Sequence, residues 1–341
     1  MKKILLTICI PFILLASFAH ASVLSEVKDR GYLRCGVNVG LLGFSTVDKN
    51  GVWTGFDIEF CRALSAAIFH DSSKVEFVGL TGKERFKALK NKQIDVLYRN
   101  TTMNAIRGTS TDLNIVFAGT NYYDGQGFLV SKKSDVSSAF QLKEIVFCMT
   151  AGSNSVGNLR DFLAATGEVG KNKIVEFSSA KTVIANLESG RCDAVSSDQS
   201  QLYALKTELS RPDEFVVLPE VITKEPLGPV VSKGDPQWFS IVRWTLQAMI
   251  EAEFEGISSH NVDALVSSET ITAGQARLIG TKGNIGENLG LKNNWSYHVI
   301  SQVGNYSEVF ERTLGSGSQL DIARGLNSQW NAGGLLYSSP F

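Results

Sequence analysis

Two stretches of the chain share one pattern and then end in opposite charges. Phe86 to Val96 and Val183 to Ala194 each carry an amphipathic helix end, a polar turn, an aspartate (Asp95, Asp193) and a short apolar strand. Beyond the first stand Asn100, Thr101 and Thr102, followed by Arg107; beyond the second stands Asp198. In open α/β sheets, ligands sit at the carboxyl ends of strands. One strand end therefore offers hydroxyls, an amide and a fixed guanidinium, and the other a carboxylate. A guanidinium grips a carboxylate through two parallel hydrogen bonds, and a carboxylate accepts from an ammonium. Those are the partners a free amino acid requires. Each residue also has a plainer reading: Arg107 as a surface arginine in a polar loop, Asp198 as the cap of a helix starting at Gln199.

The elements that must position these groups alternate. Tyr32–Val39 reads as a strand, Gly40–Gly51 as a turn-rich loop and Phe56–Phe69 as a helix. A strand at Val75–Gly79, a helix at Lys83–Asn91 and a strand at Asp95–Tyr98 follow. The alternation restarts with strand Ile145–Met149, a helix beginning near Ser153, strand Lys173–Phe177, helix Thr182–Ser189 and strand Asp193–Ser196. Such alternation predicts a mostly parallel sheet covered by helices. Two extended stretches punctuated by Gly and Pro, Tyr122–Val130 and Lys224–Pro229, read as linkers. The chain thus enters a second lobe near Gly127, leaves it near Pro226 and returns to the first through Val230–Ser232 and a long helix, Pro236–Phe254. This predicts a hinged pair of α/β lobes: residues 22–126, then 127–226, then 227–341 as the return and a C-terminal extension. Two independent sequential domains are the alternative. The tail after Ser267 carries Trp295, Tyr297, Phe310 and Trp330, which predicts that it folds against the body.

Met1, Lys2 and Lys3 precede an apolar run from Ile4 to Phe18 and then Ala19, His20 and Ala21. A basic start, an apolar middle and a small-x-small site predict a secretory signal peptide cleaved after Ala21; an uncleaved anchor would require a longer run. The formal net charge of -1 gives no case for nucleic acid or an anionic membrane surface. In an oxidising compartment the remaining cysteines, Cys35, Cys61, Cys148 and Cys192, read as disulfides. Their positions favour Cys35–Cys61 and Cys148–Cys192, one in each half, with buried free thiols as the alternative. There is no CxxC, and His70, His260 and His298 stand far apart, so no metal site is expected.

The ordered set of motifs resembles the periplasmic solute-binding proteins of polar amino-acid ABC transporters, and within them the general L-amino-acid binding proteins. The marks are Leu33–Val37, Trp53–Ala63 with Gly55, Phe56 and Asp57 at its centre, Tyr98–Thr102 with Arg107, Ala151–Ser153, Asp193 before Asp198, and Val303–Tyr306 with Arg324–Asn327 in the tail. The resemblance covers essentially the whole chain after the signal sequence. It implies a type II clamshell, a free L-amino acid as ligand with broad polar range, membrane permease subunits as partners, no cofactor, a monomer, and a periplasmic location. It implies that Arg107 holds the ligand α-carboxylate and Asp198 its α-ammonium, with Asn100 and Thr102 at the strand end. Ser153 is expected where a helix begins, its N–H facing the carboxylate, and Asn154 replaces the more usual Thr or Gly. Phe44 matches the aromatic that covers the ligand, or else is a core residue. Leu41 and Gly82 stand where many relatives carry a second aromatic, which fits a roomier side-chain pocket. Arg99, where relatives for smaller ligands have Ser, is expected to favour acidic and amide side chains, or else to support Arg107 or face solvent.

An exported enzyme on the same fold is the competing class, since fold does not fix function. No Gly-x-Ser-x-Gly or His-Glu-x-x-His occurs, and no histidine falls in the site segments, so a non-catalytic binder is the expected reading.

Overall fold

Leu33–Asn38, buried along nearly its whole length, pairs in parallel with Val75–Leu80 on one side and Val96–Leu97 on the other. Val230–Ser232 joins antiparallel beside Val96–Leu97, and Ile115–Phe117 pairs antiparallel with Val230–Ser232 to complete five strands. A strand covered on both faces is buried at successive positions, as Cys35, Gly36, Val37 and Asn38 are. The computed structural model describes residues 22–168 and 170–341; the expected signal sequence, 1–21, lies outside the described residues. Helix Phe56–Phe69 buries eleven of its residues between this sheet and the C-terminal part of the chain. It starts at Gly55, whose φ of 129° and tight approach to the Phe44 carbonyl leave no room for a Cβ.

A second five-stranded sheet has the order Lys173–Phe177, Val146–Thr150, Ala194–Asp198, Gln126–Ser131, Phe215–Val217, its first three strands parallel. Between the sheets, Tyr122–Asp124 on the outward passage pairs antiparallel with Glu225–Leu227 on the return. The first sheet takes its Val230 strand from chain that has already built the second. This interleaving is the type II clamshell.

Cys35 bonds to Cys61 and Cys148 to Cys192, with Cα separations of 6.1 Å and 5.7 Å. The pairing favoured by the sequence is the one present, and each bridge stays within its lobe.

The C-terminal extension is part of the first lobe's core. Trp295, Tyr306 and Phe310 are buried with Phe56, Trp238 and Leu246, and the Phe56 ring meets Tyr306 and Phe310 edge-on. Tyr306 Oη donates to the Asn121 carbonyl (2.8 Å). Asn327 closes on Tyr123 from both sides, accepting from its N–H (2.7 Å) and donating to its carbonyl (3.1 Å). Trp330 stays 50% exposed, its ring leaning on Phe254 at the end of the long helix Pro236–Phe254.

Trp295 is 1% exposed, so Trp295→Ala should cost about 3–5 kcal/mol. A urea midpoint indistinguishable from the parent protein would show that the extension is not integral to the core.

Candidate ligand-binding cleft

The first-lobe wall begins where strand Val96–Leu97 ends. Asn100 turns the chain with φ 32°, in the left-handed region that asparagine tolerates better than most residues. Its N–H donates to Asp57 Oδ2 (2.8 Å), and its side-chain carbonyl accepts from Asn38 Nδ2 (3.0 Å) and Arg99 Nη1 (3.3 Å). Asp57 is buried on the first turn of helix Phe56–Phe69. Burial pushes its carboxyl up to about 7, against the Asn100 N–H and the Arg99 charge, which pull it down. Asn104 caps the following short helix by accepting from the Arg107 N–H (2.9 Å). The Arg107 guanidinium then turns back, Nη1 donating to the Thr102 carbonyl (2.7 Å). Thr102 thus contributes its backbone oxygen.

The opposite wall is built by Thr150–Ser155 and by the end of strand Ala194–Asp198. Ser153 donates its hydroxyl to the Thr150 carbonyl (2.9 Å), and the helix begins at Ser155 with Asn154 at its cap position. Asn154 Oδ1 accepts from Arg107 Nη2 across the cleft (3.3 Å), while its Nδ2 donates to Glu225 Oε2 in the crossover (2.8 Å). Glu225 also accepts from Asn158 (2.7 Å) and Thr223 (2.7 Å). Asp198 stands at the N-cap of helix Gln199–Thr207, yet its side chain makes no capping bond. Its carboxyl is held well above the usual range by burial and by Asp124 and Glu225, with Arg107 and Arg85 drawing it back.

Arg107, Asp198, Asn100, Thr102, Ser153, Asn154 and Arg99 all line one cavity of about 40 Å³. Phe44 does not. It is 1% exposed and packs edge-on against Phe56 and Tyr122 in the first-lobe core; the expectation of an aromatic over the ligand is corrected in favour of its alternative. Loop Leu41–Ser45 folds back on itself through Leu41–Ser45 pairing, which turns the ring inward. Arg99 lines the cavity but is already engaged: Nε donates to the Leu80 carbonyl (2.9 Å), and Asp57 balances its charge.

Arg85 was missed by the sequence reading. It begins helix Arg85–Lys90, is 4% exposed and lines the same cavity. Its Nε is buried without a partner, and its one side-chain hydrogen bond among the described residues, Nη1 to Thr101 Oγ1, is long at 3.4 Å. Burial and the charges of Arg99 and Arg107 press it well below the usual guanidinium range, while Asp198 supports it. A second cavity, about 330 Å³, adjoins the first and shares Asn38, Gly82, Arg99, Thr150 and Gln201 with it.

Two α/β lobes on a double crossover, with a guanidinium on one facing strand end and a carboxylate on the other, define a two-lobed solute-binding protein. Residues 33–264 match the model of the bacterial extracellular solute-binding proteins, family 3, and the chain belongs to that family. The general L-amino acid-binding periplasmic protein AapJ of Rhizobium johnstonii is 47% identical over 327 residues, 95% of this chain and 94% of its own. The glutamate/glutamine/aspartate/asparagine-binding protein BztA of Rhodobacter capsulatus is 42% identical over 328 residues, 96% of each. A solved periplasmic binding protein from Brucella ovis with glutathione bound is 46% identical, with a TM-score of 0.90 over 94% of this chain and 99% of its own.

If Asp198 meets a ligand ammonium, its carboxyl, raised by its surroundings, must ionise, and binding should release a proton. Affinity should then fall as pH drops through that raised value. Calorimetry in two mildly acidic buffers of different ionisation enthalpy reads the release; identical heats would mean that Asp198 does not meet the ammonium.

Proposed function

We propose that this protein binds free L-amino acids in the periplasm, acidic and amide ones best, and delivers them to the membrane permease of an ABC transporter. The observation that carries the preference is Arg85: a buried guanidinium with an unpartnered Nε on the cleft wall, beside Arg107 and Asp198. Desolvating a cation without an anion is unfavourable, so a ligand that brings a second carboxylate or an amide oxygen relieves it. In this reading Arg107 takes the α-carboxylate, Asp198 the α-ammonium, and Arg85 the side-chain oxygen. Arg99, tied to Leu80 and Asp57, supports the wall.

The names of the relatives support the same reading. AapJ is called a general L-amino acid binder, and BztA a binder of glutamate, glutamine, aspartate and asparagine. The Brucella structure holds glutathione, whose glutamyl end carries the free α-ammonium and α-carboxylate that Asp198 and Arg107 would meet. The reading is one of binding without turnover; incubation with glutamate and mass spectrometry should return glutamate unchanged.

Arg85→Ala should weaken glutamate by about 10- to 100-fold, the loss of one charge-assisted hydrogen bond of about 1.5–3 kcal/mol, and leave leucine within about twofold. Arg107→Ala should abolish both. If Arg85→Ala weakens leucine as much as glutamate, the side-chain assignment is wrong while the α-carboxylate assignment stands.

A further inference from the structure

Glu225 opens the return strand of the crossover and is 2% exposed. Three donors hold its carboxylate: Asn158 Nδ2 (2.7 Å) and Thr223 Oγ1 (2.7 Å) at Oε1, and Asn154 Nδ2 (2.8 Å) at Oε2. None of them is charged. The Glu225 charge nevertheless reaches Arg107, supporting the guanidinium against its burial. Between the two stands the Asn154 amide, whose Oδ1 accepts from Arg107 Nη2 (3.3 Å).

The carboxylate decides which way that amide lies. A side-chain amide has an acceptor at one end and donors at the other, whereas an ionised carboxylate only accepts. Facing Glu225, Asn154 must present its NH2, and its oxygen is then left for Arg107. Turned over, it would set oxygen against carboxylate and NH2 against guanidinium, two repulsions in place of two bonds. The neighbouring amides keep the same order. Gln126 Nε2 donates to the Ser155 carbonyl (3.0 Å), so Gln126 Oε1 accepts from Asn158 Nδ2 (3.0 Å), which in turn donates to Glu225. Glycine at position 154 would offer Arg107 no side-chain acceptor, and a threonine hydroxyl would have to meet both partners at one atom. The asparagine meets them at two.

We propose that Glu225 is a positioning residue for ligand binding, which acts through the Asn154 amide to hold the Arg107 guanidinium where an α-carboxylate meets it. The proposal rests on the reading that Arg107 takes the α-carboxylate. With Nη1 on the Thr102 carbonyl and Nη2 on Asn154, the guanidinium is fixed from both lobes and still has N–H groups left for a bidentate grip.

Competition calorimetry on the mature protein with L-glutamine and its α-amide, L-glutaminamide, separates positioning from a structural role. Neither ligand has a side-chain anion, and only glutamine offers Arg107 a carboxylate. The parent should prefer glutamine by about 100-fold. In Glu225→Gln the new side-chain oxygen stays with Asn158 and Thr223, which leaves an NH2 facing Asn154 and turns that amide over against Arg107. Glutamine should then weaken about tenfold and glutaminamide by less than about twofold, so the preference narrows. Asn154→Ala should narrow the same preference, and adding Glu225→Gln to it should change nothing further, since the intermediary is gone. Circular dichroism checks the fold of each variant. Equal loss of both ligands in Glu225→Gln, an unchanged preference in Asn154→Ala, or additive losses in the double variant would each overturn the proposal. A parent that binds glutaminamide as well as glutamine would instead bring down the Arg107 assignment on which it rests.

Discussion

The first-lobe wall of the cleft hangs on one hydrogen bond, from the Asn100 N–H to the buried Asp57 carboxylate. That bond fixes a left-handed residue at the end of a strand, and the turn it makes sets the Thr102 carbonyl under the Arg107 guanidinium. Asp57 is itself placed by packing. Phe44, locked among Phe56 and Tyr122, presents its backbone so closely that only glycine fits at position 55, and the helix that Gly55 starts carries Asp57 on its first turn. An aromatic core, a glycine, a buried acid and a left-handed turn thus lead by contact to Arg107 on the cleft wall. Burying a carboxylate costs several kcal/mol unless it is paired and hydrogen-bonded; Arg99 and the Asn100 N–H offset part of that cost, and burial still leaves the carboxyl raised.

Charge balance across the cleft turns on Arg107. Among the described residues the Arg107 guanidinium hydrogen-bonds only to neutral acceptors, the Thr102 carbonyl and the Asn154 amide, with the Glu225 and Asp198 charges acting on it without a direct bond. A carboxylate makes shorter and roughly twofold stronger bonds to a guanidinium than neutral oxygens do. Contacts that need both lobes bias the closed form by as much as they differ between forms. Asn154 adds a mechanical link, since it is also bonded to Glu225 in the crossover.

Much of this was legible in the sequence because it is local. Strand–helix alternation, two glycine- and proline-marked crossings and one cysteine pair per half are all patterns within short windows, and Arg107 and Asp198 stand at fixed offsets past strand ends. What escaped is non-local. Arg85 opens an amphipathic helix and reads as a solvated first-turn residue; it is buried because the second lobe comes down at Gly82 and Gly152, and nothing near position 85 records that approach. Phe44 lies in a loop, where no periodicity tells inward from outward, so its core and cleft readings stayed open until the Leu41–Ser45 pairing decided the matter. Ser153 shows the reverse: a helix start near it was legible, though the helix begins two residues on, at Ser155, and a turn bond to Thr150 holds the Ser153 hydroxyl.

The Asn327 clasp on Tyr123 makes the two jaws mechanically unequal. One strand of the crossover is fastened to the first lobe at both of its peptide groups, with Tyr306 pinning Asn121 just before it. Tyr123 thus belongs to the first lobe's body, while Asp124, one residue on, is bonded to Ser200 of the second. A rotation between the lobes would therefore turn about the short stretch after Tyr123 rather than the midpoint of the connection. Because displacement grows with distance from an axis, such a turn would be felt most at the far lip of the cleft, by the wall that carries Ser178 and Lys181.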